Sequence, residues 1–573
     1  MSLSYEETRD NEQLRLLTPA IDDFIDRFQS SPASSSACPR QTVFFFPGGM
    51  ASRLLRATQK FQEGLAAPQQ FQYETVWIDL NTLIDEWRHL EMHRDSAGGF
   101  RDKGDYIIVA DGSPVSLLGC TPHDGLINWC ASNNADLFVF GWDWRRRLEE
   151  TAGFFVGKFL PFFRARVMNA GAADPLARFS LIGHSFGGMI ANLILRGNDP
   201  IVANMTHAIT VATPFYGYAG QVHRWFEGEP WLLAAWGPLG PLFKQHLIEV
   251  ISSMPGLYTL HFLDEVTFVN APIQAGLSGD PDFPLGYYPS MDQAAAALRA
   301  DAYNPQTNGV LVRYPTNTGF DLSELAHAKA QFQQLAAPMP STMSQKFYNI
   351  RGVRTQADET TAIRDTVGKV SWKWIEPNYY SLFHDSPIHD ENTVAGDDTQ
   401  PAWSARLATN DQNRWISVKA SDLEHAFMMN HPKTLTAIAS ILCAAQGAAV
   451  TTPETPPPAS EPASDEEIID FLRWLIEHRG KMKKRFPQLH EEELRRMVPA
   501  RHRDRLGSIA RRILGDLARG PVRRKATKPG GAAPAGARGH GPPAKSAKGR
   551  TTGRSKAPTR AKAKRAQRPS RKK

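Results

Sequence analysis

A strand pattern passes directly into a helix pattern near the middle of the chain. Residues Arg178–Gly183 (RFSLIG) form a short apolar run, and Gly188–Gly197 (GMIANLILRG) has helical apolar spacing and ends at a glycine. Only four residues, HSFG, separate the two segments. So tight a strand-to-helix turn is typical of a βα unit, in which the helix packs back against a parallel sheet.

Further short apolar runs recur on both sides of this turn. They are Thr42–Gly49, Tyr106–Ala110, Ala135–Trp142, His207–Thr213, Gln345–Gly352 and Arg414–Ala420. Helix-like segments such as Arg145–Val167 separate several of them. Buried strands that alternate with helices predict an α/β fold with a mostly parallel sheet, covered by helices on both faces.

The length and the shifts in composition predict one large domain with appendages. At 573 residues the chain exceeds the roughly 250–300 residues that a single core usually serves. We expect a helical leader and Ser-rich linker at 1–40, an α/β domain at 41–447 with an inserted lid or cap at about 218–300, a Pro-rich linker at 448–463, a small helical segment at 464–520 and a disordered Lys/Arg-rich tail at 521–573.

The net charge of +7 combines two opposite parts of the chain. Residues 521–573 contain 18 Lys and Arg and no Asp or Glu, which leaves a net charge of −11 for residues 1–520. A basic tail attracts phosphate, and the partners it suggests are an anionic membrane surface, nucleic acid or polyphosphate. The alternative is a solubilising tail without a fixed partner. The tail lacks aromatic residues, so base stacking is not indicated.

The sequence does not indicate a secreted, membrane-spanning or metal-binding protein. The first residues show no basic segment followed by an apolar core, and no apolar run reaches the roughly 18 residues of a membrane span. We therefore expect a cytoplasmic protein, or one held peripherally at a membrane. The four cysteines have no metal-ligand spacing, which argues against a structural zinc. We expect neither a metal nor another cofactor. The oligomeric state is not indicated.

The central turn follows the pattern G-x-S-x-G over residues 183–187, with Ser185 in the middle. In a nucleophile elbow, such a serine stands on a sharp strand-to-helix turn and is followed along the chain by an acid and then a histidine. Asp397 and Asp398 lie in a loop-like segment, and His425 follows them. We predict Ser185, Asp397 and His425 as a catalytic triad, with Asp398 as the alternative acid. An ordinary helix-capping serine, turn and histidine are the alternative interpretation.

Backbone N–H groups would have to stabilise the oxyanion of such a reaction. Phe186 follows the proposed nucleophile, and Gly49 lies in the Pro-Gly-Gly turn after the first strand pattern. We predict these two as the oxyanion hole, with a plain turn as the alternative at Gly49. A segment rich in Trp, Gly and Pro follows the next strand pattern and predicts either a lipid-facing lid or a cap packed on the body; its aromatic residues include Trp225, Phe226, Trp231 and Trp236.

An ordered series of motifs resembles the lecithin:cholesterol acyltransferase family of α/β-hydrolases, which includes lysosomal phospholipase A2 and phospholipid:diacylglycerol acyltransferases. The matching segments are VFFFPGGMASRL, TVWIDLNTLI, FGWDWRRRLEE, LIGHSFGGM, VATPFYG, VISSMPGL, GDDTQP and LEHAFMMNHPKTLTAI. The resemblance implies the same triad and oxyanion residues. One departure leaves the acid open, since Asp398 stands where the family pattern has a glycine after the acid.

The resemblance implies serine-dependent acyl transfer on lipid esters, by a phospholipase, a lipase or an O-acyltransferase. Two other functions stay open from the sequence. One is a carboxylesterase for small esters. The other is a nucleic-acid- or anionic-surface-associated protein with a vestigial hydrolase fold.

Overall fold

Six parallel strands form the central sheet of the computed structural model. The structure describes residues 4–30, 39–59, 71–77, 86–96, 98–114, 122–197, 199–217, 221, 224–225, 228, 240–260, 321–356, 358, 364–367, 393–407 and 414–443. In chain order its elements are α1 (Tyr5–Ser30), β1 (Gln41–Phe46), β2 (Ser52–Gln59), β3 (Phe71–Trp77), β4 (Met92–Arg94), β5 (Phe100–Asp102), β6 (Ile107–Pro114), α2 (Asp124–Ser132), β7 (Ala135–Val139), α3 (Leu148–Phe154), a π-helical turn (Phe155–Phe159), α4 (Leu160–Asn169), β8 (Phe179–His184), α5 (Phe186–Arg196), β9 (Met205–Val211), α6 (Gly240–Ser252), α7 (Pro255–Tyr258), α8 (Leu322–Ala336), α9 (Ser341–Ser344), β10 (Phe347–Arg354), β11 (Arg364–Val367), β12 (Thr393–Ala395), β13 (Trp415–Ala420) and α10 (Pro432–Cys443), with 3-10 turns at Glu86–Leu90, Pro200–Asn204 and His425–Asn430.

The central sheet has the strand order β13–β10–β9–β8–β1–β7. This confirms the predicted α/β class with a mostly parallel sheet. The predicted strand Tyr106–Ala110 lies instead in an antiparallel sheet of order β3–β2–β6, where Ile108 and Val109 pair with Arg56 and Leu55. Strand propensity is local, whereas the choice of partner strand is not.

Both faces of the central sheet are covered, which explains the unbroken apolar run Val43–Phe46 in β1. Phe44 and Phe46 point into one core cluster, with the side chains of α1, α3 and α4. Val43 and Phe45 point into a second cluster, with α2 and α10. Successive strand residues face opposite sides, so a strand buried on both faces needs a continuous apolar run.

The leader helix α1 is an integral part of the body. Leu17, Ile21 and Phe24 are fully buried in the first core cluster. The Gln13 side-chain amide exchanges hydrogen bonds with the backbone of Ala110 on β6, donating to the carbonyl and accepting from the N–H at 2.8 Å. The helix therefore covers the sheet instead of standing apart from it.

Several sequence-based expectations fall outside the described residues. These are the Ser-rich linker from 31 to 38, most of the lid or cap segment including Phe226, Trp231 and Trp236, the Pro-rich linker, the 464–520 segment and the basic tail. Among the helices that the structure does describe, none combines the length and apolar character needed to cross a membrane.

Candidate active site

Ser185 occupies a sharp turn between β8 and α5. Its backbone has φ 51° and ψ −125°, a left-handed conformation that L-residues rarely adopt. The turn is held by the Ser185 N–H, which donates to the carbonyl of Val211 at 2.7 Å, and by its carbonyl, which accepts from the N–H of Gly188 at 3.0 Å. The surrounding strand and helix thus stabilise a strained serine at the carboxyl edge of the sheet.

The glycines on either side of Ser185 are required by close backbone approach. A Cβ on Gly183 would overlap the backbone of Gly187 and Gly188. A Cβ on Gly187 would overlap the carbonyl oxygen of Phe46 at the end of β1. Strand, turn and first helical residues therefore pack together only because these positions lack side chains.

The three residues predicted as a triad meet in the structure. The Oγ of Ser185 lies 2.9 Å from Nε2 of His425, and Nδ1 of His425 lies 2.9 Å from Oδ2 of Asp397. His425 begins the 3-10 turn after β13, and Asp397 follows β12. The parallel strands β8 and β13 bring their carboxyl ends, with Ser185 and His425, to one edge of the central sheet. Asp397 reaches this edge from outside that sheet, where the carbonyl of Gly396 accepts from the N–H of Arg354 at the end of β10 at 2.7 Å.

Together with the parallel sheet and the strained turn, this arrangement decides the fold. It is an α/β-hydrolase fold. The hydroxyl, imidazole and carboxylate form one hydrogen-bonded chain in the order that nucleophilic acyl transfer requires.

Only one of the two adjacent acids contacts the imidazole of His425. Asp397 is fully buried, and its Oδ1 accepts from the N–H groups of Gln400 at 2.7 Å and Thr399 at 3.3 Å while Oδ2 faces His425. Asp398 has φ 78° and directs Oδ1 to the hydroxyl of Thr399 at 2.8 Å and to the backbone N–H of His425 at 3.4 Å. The geometry thus favours Asp397 over Asp398 as the acid.

Burial and charge act in opposite directions on these groups. Burial lowers the pKa of His425, but the carboxylates of Asp397 and Asp398 outweigh burial and raise it above its ordinary value. Burial, and then the charge of Asp397, raise the pKa of Asp398 to about 6. An imidazole whose cation is stabilised in this way suits a base that must take a proton from a serine.

Two backbone N–H groups close to the serine have no hydrogen-bond partner among the described residues. Phe186 begins α5, and neither its N–H nor that of Gly49 takes part in a hydrogen bond there. The Gly48–Gly49 turn lies against the elbow: a Cβ on Gly48 would be 3.1 Å from Cβ of Ser185, and one on Gly49 3.2 Å from the ring of Phe186. The predicted oxyanion residues are therefore neighbours.

Trp142 supports this turn, a role that sequence reasoning missed. Its indole N–H donates to the carbonyl of Pro47 at 3.0 Å, and its ring lies 5.2 Å from that of Phe186. The residues that follow form a buried ion pair, in which Arg145 donates to both oxygens of Asp143 at 2.8 and 2.6 Å. The only advance signal for Trp142 was its place in a motif next to that pair.

Trp225 corrects the expectation of a lipid-facing lid at that residue. Its side chain is 1% exposed, belongs to the main core cluster and packs against Tyr258 with ring centroids 5.1 Å apart. Burial of so large an apolar side chain stabilises the position of Trp225 against the core. At this residue the packing favours the alternative of a cap packed on the body.

The described residues contain no group of three or more His, Cys, Asp or Glu side chains arranged to hold a metal ion.

Comparison with known proteins gives distant structural similarity only. No family model and no curated protein matches the chain. The crystal structure of the Tle4-Tli4 complex aligns with a TM-score of 0.38 and 14% identity over 71% of this chain and 98% of that chain. The crystal structure of esterase E22 aligns with a TM-score of 0.20 and 12% identity over 70% and 90%. The resemblance to the lecithin:cholesterol acyltransferase family stays a prediction.

Proposed function

We propose that this chain is a serine-dependent acyl-transfer enzyme that acts on lipid esters. The observation that carries the proposal is the continuous hydrogen-bonded chain from the Ser185 hydroxyl through His425 to Asp397, with both contacts at 2.9 Å. A merely structural serine would need neither a strained backbone nor a buried imidazole–carboxylate pair beside it.

The geometry supports a two-step mechanism. His425 Nε2 takes the proton of the Ser185 hydroxyl while the Ser185 Oγ bonds to the ester carbonyl carbon. The carbonyl oxygen becomes an oxyanion, which accepts hydrogen bonds from the N–H groups of Gly49 and Phe186. The C–O bond to the leaving alcohol then breaks, and His425 returns the proton to that alcohol. Asp397 holds the imidazole in the correct tautomer and stabilises its positive charge.

The second step decides between two enzyme classes. His425 takes a proton from an incoming water or alcohol as the oxygen of that molecule bonds to the acyl carbon. The bond from that carbon to the Ser185 Oγ then breaks, and His425 returns the proton to Oγ. Water gives a phospholipase or lipase, and a long-chain alcohol gives an O-acyltransferase. The lipid substrate class rests on the motif resemblance, and we extend the proposal to an acyltransferase on the same ground. An anionic membrane surface is the partner we propose for the basic tail.

The test uses phospholipid vesicles with a labelled acyl chain, with and without a sterol, and compares wild type with Ser185→Ala and His425→Ala. We expect free labelled fatty acid or labelled sterol ester from wild type, and a loss of at least about 10³-fold in both variants. His431→Ala is the matched control, because His431 follows closely in the chain but contacts Asp422 at 3.4 Å. It should keep wild-type activity.

Other outcomes identify the alternatives. Turnover of a short soluble ester by wild type, lost in Ser185→Ala, with no turnover of vesicle lipid, would indicate a small-ester carboxylesterase. Equal rates for wild type and Ser185→Ala on every ester would refute the proposal, and nucleic-acid binding through the tail would then be measured.

A further inference from the structure

The imidazole next to the nucleophile contacts the backbone of the proposed base. His184 precedes Ser185 at the end of β8, and its side chain is 3% exposed. Its Nε2 lies 3.0 Å from the backbone carbonyl oxygen of His425, and the two rings have centroids 5.1 Å apart. A carbonyl oxygen only accepts, so Nε2 of His184 carries the proton and donates it.

Two hydrogen bonds therefore hold the backbone of His425 from opposite sides. Its N–H donates to the carbonyl of Asp397 at 2.9 Å, and its carbonyl accepts from His184 at 3.0 Å. One anchor belongs to the acid and the other to the residue beside the nucleophile. The main chain of His425 is therefore hydrogen-bonded to the acid itself and to the residue next to the nucleophile.

His184 stays neutral in this setting. The imidazole is buried and lies next to those of His425 and His123. The ring centroid of His123 is 5.9 Å from that of His184. Burial, and then these two neighbours, lower its pKa well below the ordinary value. His123 is itself buried, and burial lowers its pKa to about 3. Neither ring brings a second positive charge next to His425 when it accepts a proton.

We propose that His184 is a positioning residue: its Nε2–H donor fixes the His425 backbone so that the His425 ring spans Ser185 and Asp397. The inference rests on the proposed function. Loss of the donor would leave a buried carbonyl unpaired, and the cost would be relieved by a shift of the main chain at His425. Because both ring contacts are at hydrogen-bond distance, a small shift weakens them together.

The consequence for acid–base behaviour has a defined direction. The charged and titratable groups that act on His425 are Asp397 and Asp398, which raise its pKa, and Arg224, which lowers it, while His184 stays neutral. A His425 ring that moves away from Asp397 loses stabilisation of its cation. Its pKa falls, and the acid limb of the rate profile moves to lower pH.

Two amide variants separate donor position from simple loss of histidine. In His184→Gln the amide nitrogen can take the place of Nε2. The side chain of His184→Asn is one bond shorter, so its amide nitrogen lies where Nδ1 of histidine lies. The measurement is the rate at which a fluorophosphonate labels Ser185 between pH 5 and 9, together with ester turnover. We expect Gln to resemble wild type, and Asn to react about fivefold to tenfold more slowly with its acid limb at lower pH.

A buried histidine on β9, beside the other end of β8, provides the matched control. His207 is fully buried, lies 3.3 Å from Ser180 through Nδ1, and has its pKa lowered by burial to about 4. Ser180 is about 13 Å along the strand from His184. His207→Asn should lower the free energy of unfolding without moving the acid limb.

The outcomes distinguish this inference from the proposed function. If Ser185→Ala is still labelled at the wild-type rate, the proposed function fails. If labelling depends on Ser185 but the Asn and Gln variants of His184 share one rate and one acid limb, the positioning role alone is refuted. If His184→Asn folds poorly, His184→Phe takes its place in the comparison with His184→Gln. The labelling rate per folded molecule and the position of the acid limb in these two variants then decide the same question.

Discussion

The indole N–H of Trp142 donates to the backbone carbonyl of Pro47 at 3.0 Å, across 95 residues of chain. Pro47 precedes the Gly-Gly turn that lies on the elbow, and the Trp142 ring also packs on Phe186. One side chain therefore supports both of the segments whose N–H groups we assign to the oxyanion hole.

Replacing Trp142 by Phe should lower kcat with little change in KM. The phenyl ring keeps most of the packing, but the Pro47 carbonyl loses its donor and the Gly49 N–H is less well placed for the transition state. We expect a loss of about threefold to thirtyfold in kcat on any ester that wild type turns over. Trp144→Phe is the control, since the Trp144 indole N–H has no hydrogen-bond partner among the described residues. Equal losses in the two variants would contradict the assigned role.

Asp397→Asn and Asp398→Asn should separate the two acids. The amide that Asp397→Asn introduces would present the wrong partner to Nδ1 of His425, and kcat should fall by about 10³–10⁴-fold. Asp398→Asn keeps the contact between Asp397 and His425, and its activity at neutral pH should stay within about tenfold of wild type. Steady-state rates of both variants at saturating substrate give the answer, and a larger loss in Asp398→Asn would reverse the assignment.

The raised pKa of Asp398 makes stability depend on pH. Its carboxyl has a pKa of about 6 in the folded protein and an ordinary value of 3.8, which applies to the unfolded chain. Between these two pH values the folded state therefore binds more protons than the unfolded state. Stability attributable to this group therefore falls as the pH rises from about 4 to 6, and the fall is smaller than the full shift would give because the exposed side chain is screened by solvent. Urea unfolding of wild type and Asp398→Asn should show similar stability near pH 4 and a more stable variant at pH 7.

The same variant should also change the pH dependence of the rate. Removing the negative charge of Asp398 takes away one of the groups that raise the pKa of His425. The acid limb of kcat/KM should then move to lower pH. A limb that stays in place would show that Asp398 does not act on the His425 cation.

Two glycine-to-alanine changes test the elbow. Gly187→Ala puts a methyl group onto the carbonyl oxygens of Phe46 and Pro47, and it should abolish labelling of Ser185 and lower the melting temperature. Gly153→Ala lies in α3, where a Cβ meets nothing within 4 Å, and it should stabilise the protein by about 0.5–1 kcal/mol. Thermal unfolding of both variants tests these two expectations. A fully active Gly187→Ala would contradict the close approach of residue 187 to the end of β1.

The sequence alone determined the features whose physical causes are local. Each apolar run predicts a buried strand from its own pattern, and the helix-like segments between the runs indicate a parallel sheet. The elbow was predictable because Gly183, Ser185 and Gly187 lie within five residues between a strand and a helix. The chain order of serine, acid and histidine pointed to Asp397 or Asp398 and to His425.

Only the tertiary structure decided the features that join distant segments. Asp397 and Asp398 are adjacent in sequence, and the backbone turn between them determines which carboxylate reaches His425. The contact of His184 with His425 spans 241 residues. Composition and periodicity carry no information about which donor meets which carbonyl, because that depends on how the strands are ordered in the sheet and on the loops at its carboxyl edge.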